Sequence, residues 1–259
     1  MDHHPTRAGK EPIPGLALRE KTPARILVGR AGGGYRTSTL LELRRDHAAA
    51  RDAIWDEIDL ERDLPGLGLF PVQTAARDKH EYLLRPDLGR VLNPAARHCI
   101  IERCPREAPI QLLVGDGLSA AAVRKQVPRL LPLLLDGLRK SGESVGMPFF
   151  VRFCRVGVLN EVGELLHPEV VILLIGERPG LATAESLSAY MAYRPQPGDT
   201  DARRNLISNI HDRGVPVDQA ARRILALARQ LRQARQSGVG IKEVLPTVVP
   251  TLDRRPEHG

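Results

Sequence analysis

Three short segments that combine glycine with charged residues each follow an apolar run, and these are the places where the chain could hold a ligand. They read Gly115-Asp116-Gly117, Arg155-Val156-Gly157 and Gly176-Glu177-Arg178-Pro179-Gly180. Glycine lets the backbone approach a ligand closely and adopt positive φ, and Pro179 stiffens the last segment. Ligands of open parallel sheets bind outside the carboxyl ends of the strands. The pattern predicts a ligand site at such an edge, although each segment alone also fits an ordinary strand-to-helix turn.

The first segment has a second interpretation. Gly115-Asp116-Gly117-Leu118-Ser119-Ala120 fits the G-x-G-x-x-A pattern of dinucleotide-binding loops. That function needs an acidic residue at the end of the next strand to bind a ribose. Asp136 has about the right spacing but falls in or just after the following helix, and the next strand ends at Arg155. An oxidoreductase that binds a nicotinamide or flavin cofactor therefore stays an alternative, although the acidic residue that would bind the ribose is missing at the expected position.

Groups that could perform chemistry themselves are scattered along the chain. The sequence has no Gly-x-Ser-x-Gly motif and no carboxylate pair that suggests an acid–base couple, so we expect no catalytic residue. His98, Cys99 and Cys104 lack the second ligand pair that a zinc site needs, and we expect no metal site. His167 and His211 are interpreted as solvent-facing or capping residues. A chain that can hold a ligand but lacks a catalytic group is typical of one subunit of a shared active site.

Apolar strands alternating with amphipathic helices must position these segments. Strands are predicted at residues 110–114, 149–155 and 170–175, and residues 186–193 form a further strand or a helix-to-strand element. Helices are predicted at 39–58 with Thr37 or Ser38 as cap, from about 119 to 139 with a bend or break near Pro128 and Pro132, at 161–166 and at 216–236. This order predicts an α/β fold: a mostly parallel sheet flanked by helices, Rossmann-like, with a helical N-terminal part.

Composition divides the chain into four parts. Residues 1–22 are polar, contain three prolines and are expected to form a mobile N-terminal arm. Residues 23–105 are expected to be mainly helical, and residues 106–238 form the α/β domain that carries the three ligand segments. Residues 239–259 contain three further prolines and are interpreted as a C-terminal tail.

Charge and composition argue against several classes of partner. The net charge is +7, but aromatic residues make up only 3%, so the basic residues lack the stacking platforms of a single-strand binder. The arginine face of residues 222–235 could serve a non-catalytic binding module, although a solvated surface or a subunit contact explains it as well. The apolar run 170–175 is too short to span a membrane, and the three cysteines suit a reducing cytosol. We expect a cytoplasmic protein with no nucleic-acid or membrane partner.

Several segments in one order carry a family resemblance that spans roughly residues 24–236. The chain resembles the small subunit of ethanolamine ammonia-lyase. The matching segments are GRAG (29–32), YLLRPDLGR (82–90), DGLS (116–119), GMPFFVRFCRV (146–156), VVILLIGERPGL (170–181), ESLSAY (185–190) and RNLISNIH (204–211).

The resemblance implies an adenosylcobalamin-dependent carbon–nitrogen lyase that converts ethanolamine to acetaldehyde and ammonia by a radical mechanism. In this family a large subunit, a (β/α)₈ barrel, binds the substrate, and the small subunit contributes part of the cobalamin site. The implied assembly is a hetero-oligomer of large–small pairs in the cytoplasm. Residues 106–238 would be the cobalamin-contacting domain. The N-terminal arm is shorter than in many relatives, in which it is associated with packing into a bacterial microcompartment, so encapsulation stays open.

Three residues are implied to contact the cofactor. Val156 follows the second strand and is expected to touch it, and Glu177 is expected to accept a hydrogen bond from a cobalamin amide or hydroxyl. Leu206 stands where relatives commonly have cysteine. A contact through the backbone would survive this change, whereas a thiol contact would not.

Overall fold

The computed structural model describes residue 18, residues 26–180 and residues 183–244. The predicted arm therefore lies almost wholly outside the described residues, as does most of the predicted tail. The strands are β1 (Arg30–Ala31), β2 (Gly34–Tyr35), β3 (Phe70–Gln73), β4 (Ile110–Gly115), β5 (Phe149–Arg152), β6 (Val170–Gly176), β7 (Leu187–Tyr193) and β8 (Asn205–Ile210). The helices are α1 (Thr37–Trp55), α2 (Leu60–Asp63), α3 (Lys79–Leu84), α4 (Pro94–Arg103), α5 (Ala120–Lys140), α6 (Val158–Leu166) and α7 (Val217–Ala234).

A mixed six-stranded sheet forms the centre of the described chain, in the order β3-β5-β4-β6-β7-β8. The strands β3, β5, β4 and β6 are parallel neighbours, whereas β7 is antiparallel to both β6 and β8. The carboxyl ends of the four parallel strands therefore meet at one edge. The predicted α/β fold with a sheet flanked by helices is confirmed, and the Rossmann-like character stays a prediction.

Two apolar layers sandwich the sheet. On one face, α5 and α7 pack against residues such as Leu112, Ile172 and Leu174. On the other face, α4 and α6 pack against the alternate residues of the same strands, such as Leu113 and Leu173. All seven residues of β6 are buried, which explains its unbroken apolar sequence, because a strand covered on both faces has no solvent side.

Several elements differ from the sequence prediction. Two strands of the six-stranded sheet were not predicted: β3 lies in the region expected to be mainly helical and pairs with β5, and β8 forms an edge. The helix α5 continues for 21 residues through Pro128 and Pro132, so a break there is wrong, and the alternative, a bend, stays a prediction. Pro128 and Pro132 cannot donate backbone hydrogen bonds inside the helix. The helix stays continuous because its buried leucine face packs against the sheet. The helix α1 has Arg36 as N-cap without a side-chain cap bond, so the expected Thr37 or Ser38 cap is wrong.

The first helix is only loosely attached to the rest of the described chain. Of the 19 residues of α1, Thr39 and Ala50 are buried, while Leu40, Leu41 and Trp55 are exposed. The hairpin of β1 and β2 forms a separate two-stranded sheet beside it. In the part of the chain that the structure describes, no helix is long and apolar enough to cross a membrane.

Candidate ligand-binding site

The structure brings the three predicted segments together at the carboxyl edge of the sheet. They line one cavity of about 340 Å³. Gly117 comes from the segment after β4, Arg155 and Val156 from the segment after β5, and Gly176 and Glu177 from the end of β6. The strand order accounts for this, because β5, β4 and β6 are consecutive neighbours.

A second cavity of about 680 Å³ adjoins the first and shares Arg155, Val156 and Tyr190 with it. Together the two cavities form a groove, which we call the strand-end groove. Val156 and Glu177 both line it. Leu206 lies beside it on β8, as the register partner of Tyr190, with 45% of its surface exposed.

The carboxylate of Glu177 ties its loop to the two antiparallel strands. It accepts hydrogen bonds from the hydroxyls of Ser186, at 2.6 Å, and Ser188. The backbone N–H of Asn209 donates to the same carboxylate at 3.3 Å. The neighbouring phenol of Tyr190 has a raised pKa, first because it is partly buried and second because Glu177 is negatively charged. Glu177 thus holds a fixed position at the rim of the groove.

Asp116 fixes the segment after β5 from inside the protein. Its buried carboxylate accepts hydrogen bonds of 2.8 Å from the backbone N–H groups of both Phe153 and Cys154. Burial raises the pKa of Asp116, and the nearby charge of Lys79 opposes that shift. The carboxylate is therefore an internal anchor and not a group that faces the groove.

Three further contacts fix the same segment. The Thr74 hydroxyl donates to the Phe153 carbonyl at 3.0 Å, and the Tyr82 hydroxyl donates to the Cys154 carbonyl at 2.9 Å. The N–H of Arg155 donates to the Gly89 carbonyl at 2.7 Å. Phe153 has a φ of 58°, a left-handed conformation that non-glycine residues adopt only when their surroundings impose it. Sequence reasoning missed Thr74 and Tyr82, although Tyr82 lies in one of the segments that carry the resemblance.

Close packing between two loops explains the glycines of the G-x-G-x-x-A pattern. A Cβ on Gly117, whose φ is +60°, would lie 2.2 Å from the carbonyl oxygen of Gly176. The N–H of Leu118 donates to that same oxygen at 3.1 Å. The hydroxyl of Ser119 accepts from the N–H of Ala122 at the start of α5 and donates to the carbonyl of Ala184. Packing between the two loops therefore explains Gly117, and Ser119 already accepts a hydrogen bond from an N–H at the start of α5.

The three cysteines and the described histidines do not form a reactive cluster. Burial raises the pKa of Cys104 to about 11 and raises that of Cys154 as well, so both are protonated thiols at neutral pH. His167 is exposed at the C-cap of α6, as predicted. His211 is buried and caps a turn by accepting the N–H of Arg213. Among the described residues, no group of three or more His, Cys, Asp or Glu is placed to hold a metal ion.

The arginine face of α7 makes contacts within the chain. Arg223 forms a two-bond ion pair with Glu243, and Arg232 pairs with both Glu143 and Glu169. These two arginines hold α7 against neighbouring segments of the chain.

Comparison with known proteins gives a consistent result. A family model described as ethanolamine ammonia-lyase light chain matches residues 14–242. An ethanolamine ammonia-lyase small subunit from Clostridium perfringens is 44% identical over 227 residues, which cover 88% of this chain and 77% of the relative. The small subunit from Fusobacterium nucleatum has the same identity and coverage. The one from Clostridium acetobutylicum is 41% identical over 225 residues, which cover 87% of this chain and 93% of the relative.

The chain is thus an α/β lyase subunit with a groove at the carboxyl edge of its sheet. It belongs to the ethanolamine ammonia-lyase light-chain family, whose members are also named small subunits. A small subunit implies a large subunit as its partner.

Proposed function

We propose that this chain is the small subunit of an adenosylcobalamin-dependent ethanolamine ammonia-lyase, which converts ethanolamine to acetaldehyde and ammonia by a radical mechanism. In this proposal the large subunit binds the substrate, and the small subunit forms part of the cobalamin site. The observation that carries the proposal is the convergence of three strand-end segments on one groove in a chain of this family.

The residues of the strand-end groove fit a corrin. A corrin is wide, with apolar faces and amide arms that need hydrogen-bond partners. An ionised carboxylate has about four acceptor sites, and Glu177 uses three of them for Ser186, Ser188 and Asn209. The remaining site can accept a cobalamin amide or hydroxyl. Val156 offers an apolar surface in the wall that the two cavities share.

Leu206 extends the same surface from β8. Its backbone is fixed by pairing with Tyr190, while its side chain is half exposed. We propose that it contacts the cofactor through its backbone, because the cysteine common in relatives is missing here.

These residues would bind and orient the cofactor, which itself would provide the reactive group. When bound, adenosylcobalamin would supply radical chemistry, and the protein would supply binding and orientation. In this chain, Glu177 orients an amide or hydroxyl, Val156 excludes water from an apolar face, and Asp116 keeps the Val156 segment in place. The groove is open at the surface, so a partner has to cover the other side of a ligand of this size. This need supports a hetero-oligomer of large–small pairs.

The location of the protein is part of the same proposal. Family membership supports a cytoplasmic enzyme, and fractionation of cells grown on ethanolamine tests whether it is packed into a bacterial microcompartment.

One experiment tests the proposed function. The chain is co-expressed with its large subunit, and acetaldehyde release from ethanolamine is measured with adenosylcobalamin. The controls are each subunit alone and the complex without cofactor. We expect activity only when both subunits and the cofactor are present. Tight binding of a nicotinamide cofactor by the chain alone, without activity of the complex, would replace this proposal with the oxidoreductase alternative.

A further inference from the structure

Arg155 is a cation in the wall of the strand-end groove, and some of its guanidinium donors have no hydrogen-bond acceptor. It lines both cavities. Its guanidinium carbon lies 4.3 Å from the centre of the Tyr82 ring, and its Nη2 donates to the Tyr82 carbonyl at 3.3 Å. Its Nε is buried and has no acceptor among the described residues. Because Nε has no accessible surface, the donors that Arg155 can offer to the groove are its terminal guanidinium N–H groups.

The nearby carboxylates do not accept hydrogen bonds from Arg155. Asp116 is engaged with the backbone N–H groups of Phe153 and Cys154, and Glu177 with the donors from β7 and β8. The ion pairs of the described residues do not include Arg155. An uncompensated guanidinium in a protein wall is unfavourable, and the open groove is where an acceptor for its terminal N–H groups can bind.

The side chain is also held in a fixed position, as a binding group should be. A Cβ on Gly89 would lie 2.6 Å from Cγ of Arg155 and 3.1 Å from the Tyr82 ring, so only glycine leaves room for this stack. The Arg155 N–H is bonded to Gly89, and the preceding Phe153 has its imposed left-handed backbone. Backbone strain of this kind is often found at ligand sites.

We propose that Arg155 binds the cofactor directly, by donating hydrogen bonds from its terminal guanidinium N–H groups to an oxygen acceptor of adenosylcobalamin. Asp116, Tyr82 and Gly89 position it for this role. The inference rests on the proposed function and adds a residue that the family resemblance did not assign. The acceptor is an amide carbonyl of the corrin arms or the phosphate of the nucleotide loop, because a guanidinium can donate to either.

The test uses the complex with the large subunit and two variants of Arg155. Arg155→Met removes the charge and all donors but keeps an apolar side chain on Tyr82. Arg155→Lys keeps the charge and removes the planar donor edge. Arg103→Met is the matched control. The guanidinium carbon of Arg103 also lies 4.3 Å from an aromatic ring centre, that of Phe70, but at the amino-terminal end of β3, away from the groove. Binding of adenosylcobalamin and of adenosylcobinamide, which lacks the nucleotide loop and its phosphate, is measured by spectral titration, and assembly by gel filtration.

We expect Arg155→Met to weaken adenosylcobalamin binding roughly ten- to a hundredfold, as for loss of hydrogen bonds to a charged group. Arg155→Lys should show a smaller loss, and Arg103→Met none. A loss confined to adenosylcobalamin identifies the phosphate as acceptor, and an equal loss for adenosylcobinamide identifies an amide carbonyl.

Two results would overturn the inference. Wild-type affinity in an assembled Arg155→Lys complex would show that the planar donor edge is not used, and this variant remains decisive even if Arg155→Met fails to assemble. If the wild-type complex itself binds neither corrinoid, the proposed function fails, and the role of Arg155 fails with it.

Discussion

The hydroxyl of Ser186 donates a hydrogen bond of 2.6 Å to the carboxylate of Glu177, which joins the loop after β6 to the residue before β7. Two more donors from β7 and β8 meet the same carboxylate. Glu177 therefore contributes to the fold as well as to the proposed cofactor site, and the two roles can be separated by mutation.

Glu177→Ala should weaken adenosylcobalamin binding by the complex by about 1.5–3 kcal/mol, because a charged hydrogen-bond acceptor is lost. It should also lower the melting temperature, because three donors lose their acceptor. Spectral titration and thermal unfolding measure the two effects. The double variant Ser186→Ala with Ser188→Ala keeps the carboxylate, so it should lose stability with little loss of affinity. Unchanged cofactor affinity in Glu177→Ala would remove this residue from the site.

Gly176→Ala should destabilise the chain by about 1–3 kcal/mol or more, as expected for overpacking. The added Cβ would lie 2.1 Å from the carbonyl oxygen of Ser119 and 2.6 Å from that of Asp116. Gly180→Ala, in the same loop, is the control, because its Cβ would meet the carbonyl of Thr183 at an ordinary 3.7 Å. Urea unfolding measures both. Equal stabilities of the two variants would contradict the close packing of the loops.

Protonation of Asp63 should lower the free energy of unfolding at acidic pH. Its hydrogen bond from Arg62, with a further one from Arg124, holds the pKa of Asp63 well below its ordinary value of 3.8. Because the folded pKa is lower than the unfolded one, its contribution is complete above about pH 5 and is lost as the pH falls through 3.8 towards the folded pKa. The free energy of unfolding in urea should fall less between pH 5 and pH 3.5 in Asp63→Asn than in the wild type. Glu42→Gln, at an exposed position of α1, is the control for the loss of one surface carboxylate.

Leu206→Cys and Leu206→Ala should both retain adenosylcobalamin affinity within about twofold, or ~0.4 kcal/mol, if the contact runs through the backbone. Leu133→Ala, at a leucine of α5 with a similar exposure of 39%, controls for the loss of a surface side chain. A loss of tenfold or more in Leu206→Ala alone would instead assign the contact to the leucine side chain.

The inner strands of the sheet could be predicted because β4, β5 and β6 have apolar runs bounded by glycine or charge. The convergence of the ligand segments followed from placing those strands side by side. The strands β3 and β8 could not be predicted in the same way. Both lie at an edge of the sheet. The strand β3 has only four residues and contains Pro71, and β8 has polar residues at two of its three exposed positions. Their conformation depends on pairing with β5 and β7.

The groups that fix the site were harder to predict than the site itself. Thr74 and Tyr82 reach the segment after β5 across 79 and 72 residues of sequence. Neither has a local pattern that reveals such a contact. The role of Asp116 was hidden for a related reason: its sequence suggested a ligand loop, while its carboxylate turns inward to the backbone of Phe153 and Cys154.

The sparse packing of α1 has a consequence for the time course of hydrogen–deuterium exchange. A helix that buries two of its 19 side chains can open without disturbing the sheet, whereas β6, buried along all seven residues, opens only with the whole core. In the isolated chain, the amides of α1 should exchange orders of magnitude faster than those of β6. Denaturant at low concentration should accelerate exchange in β6 while leaving that of α1 nearly constant.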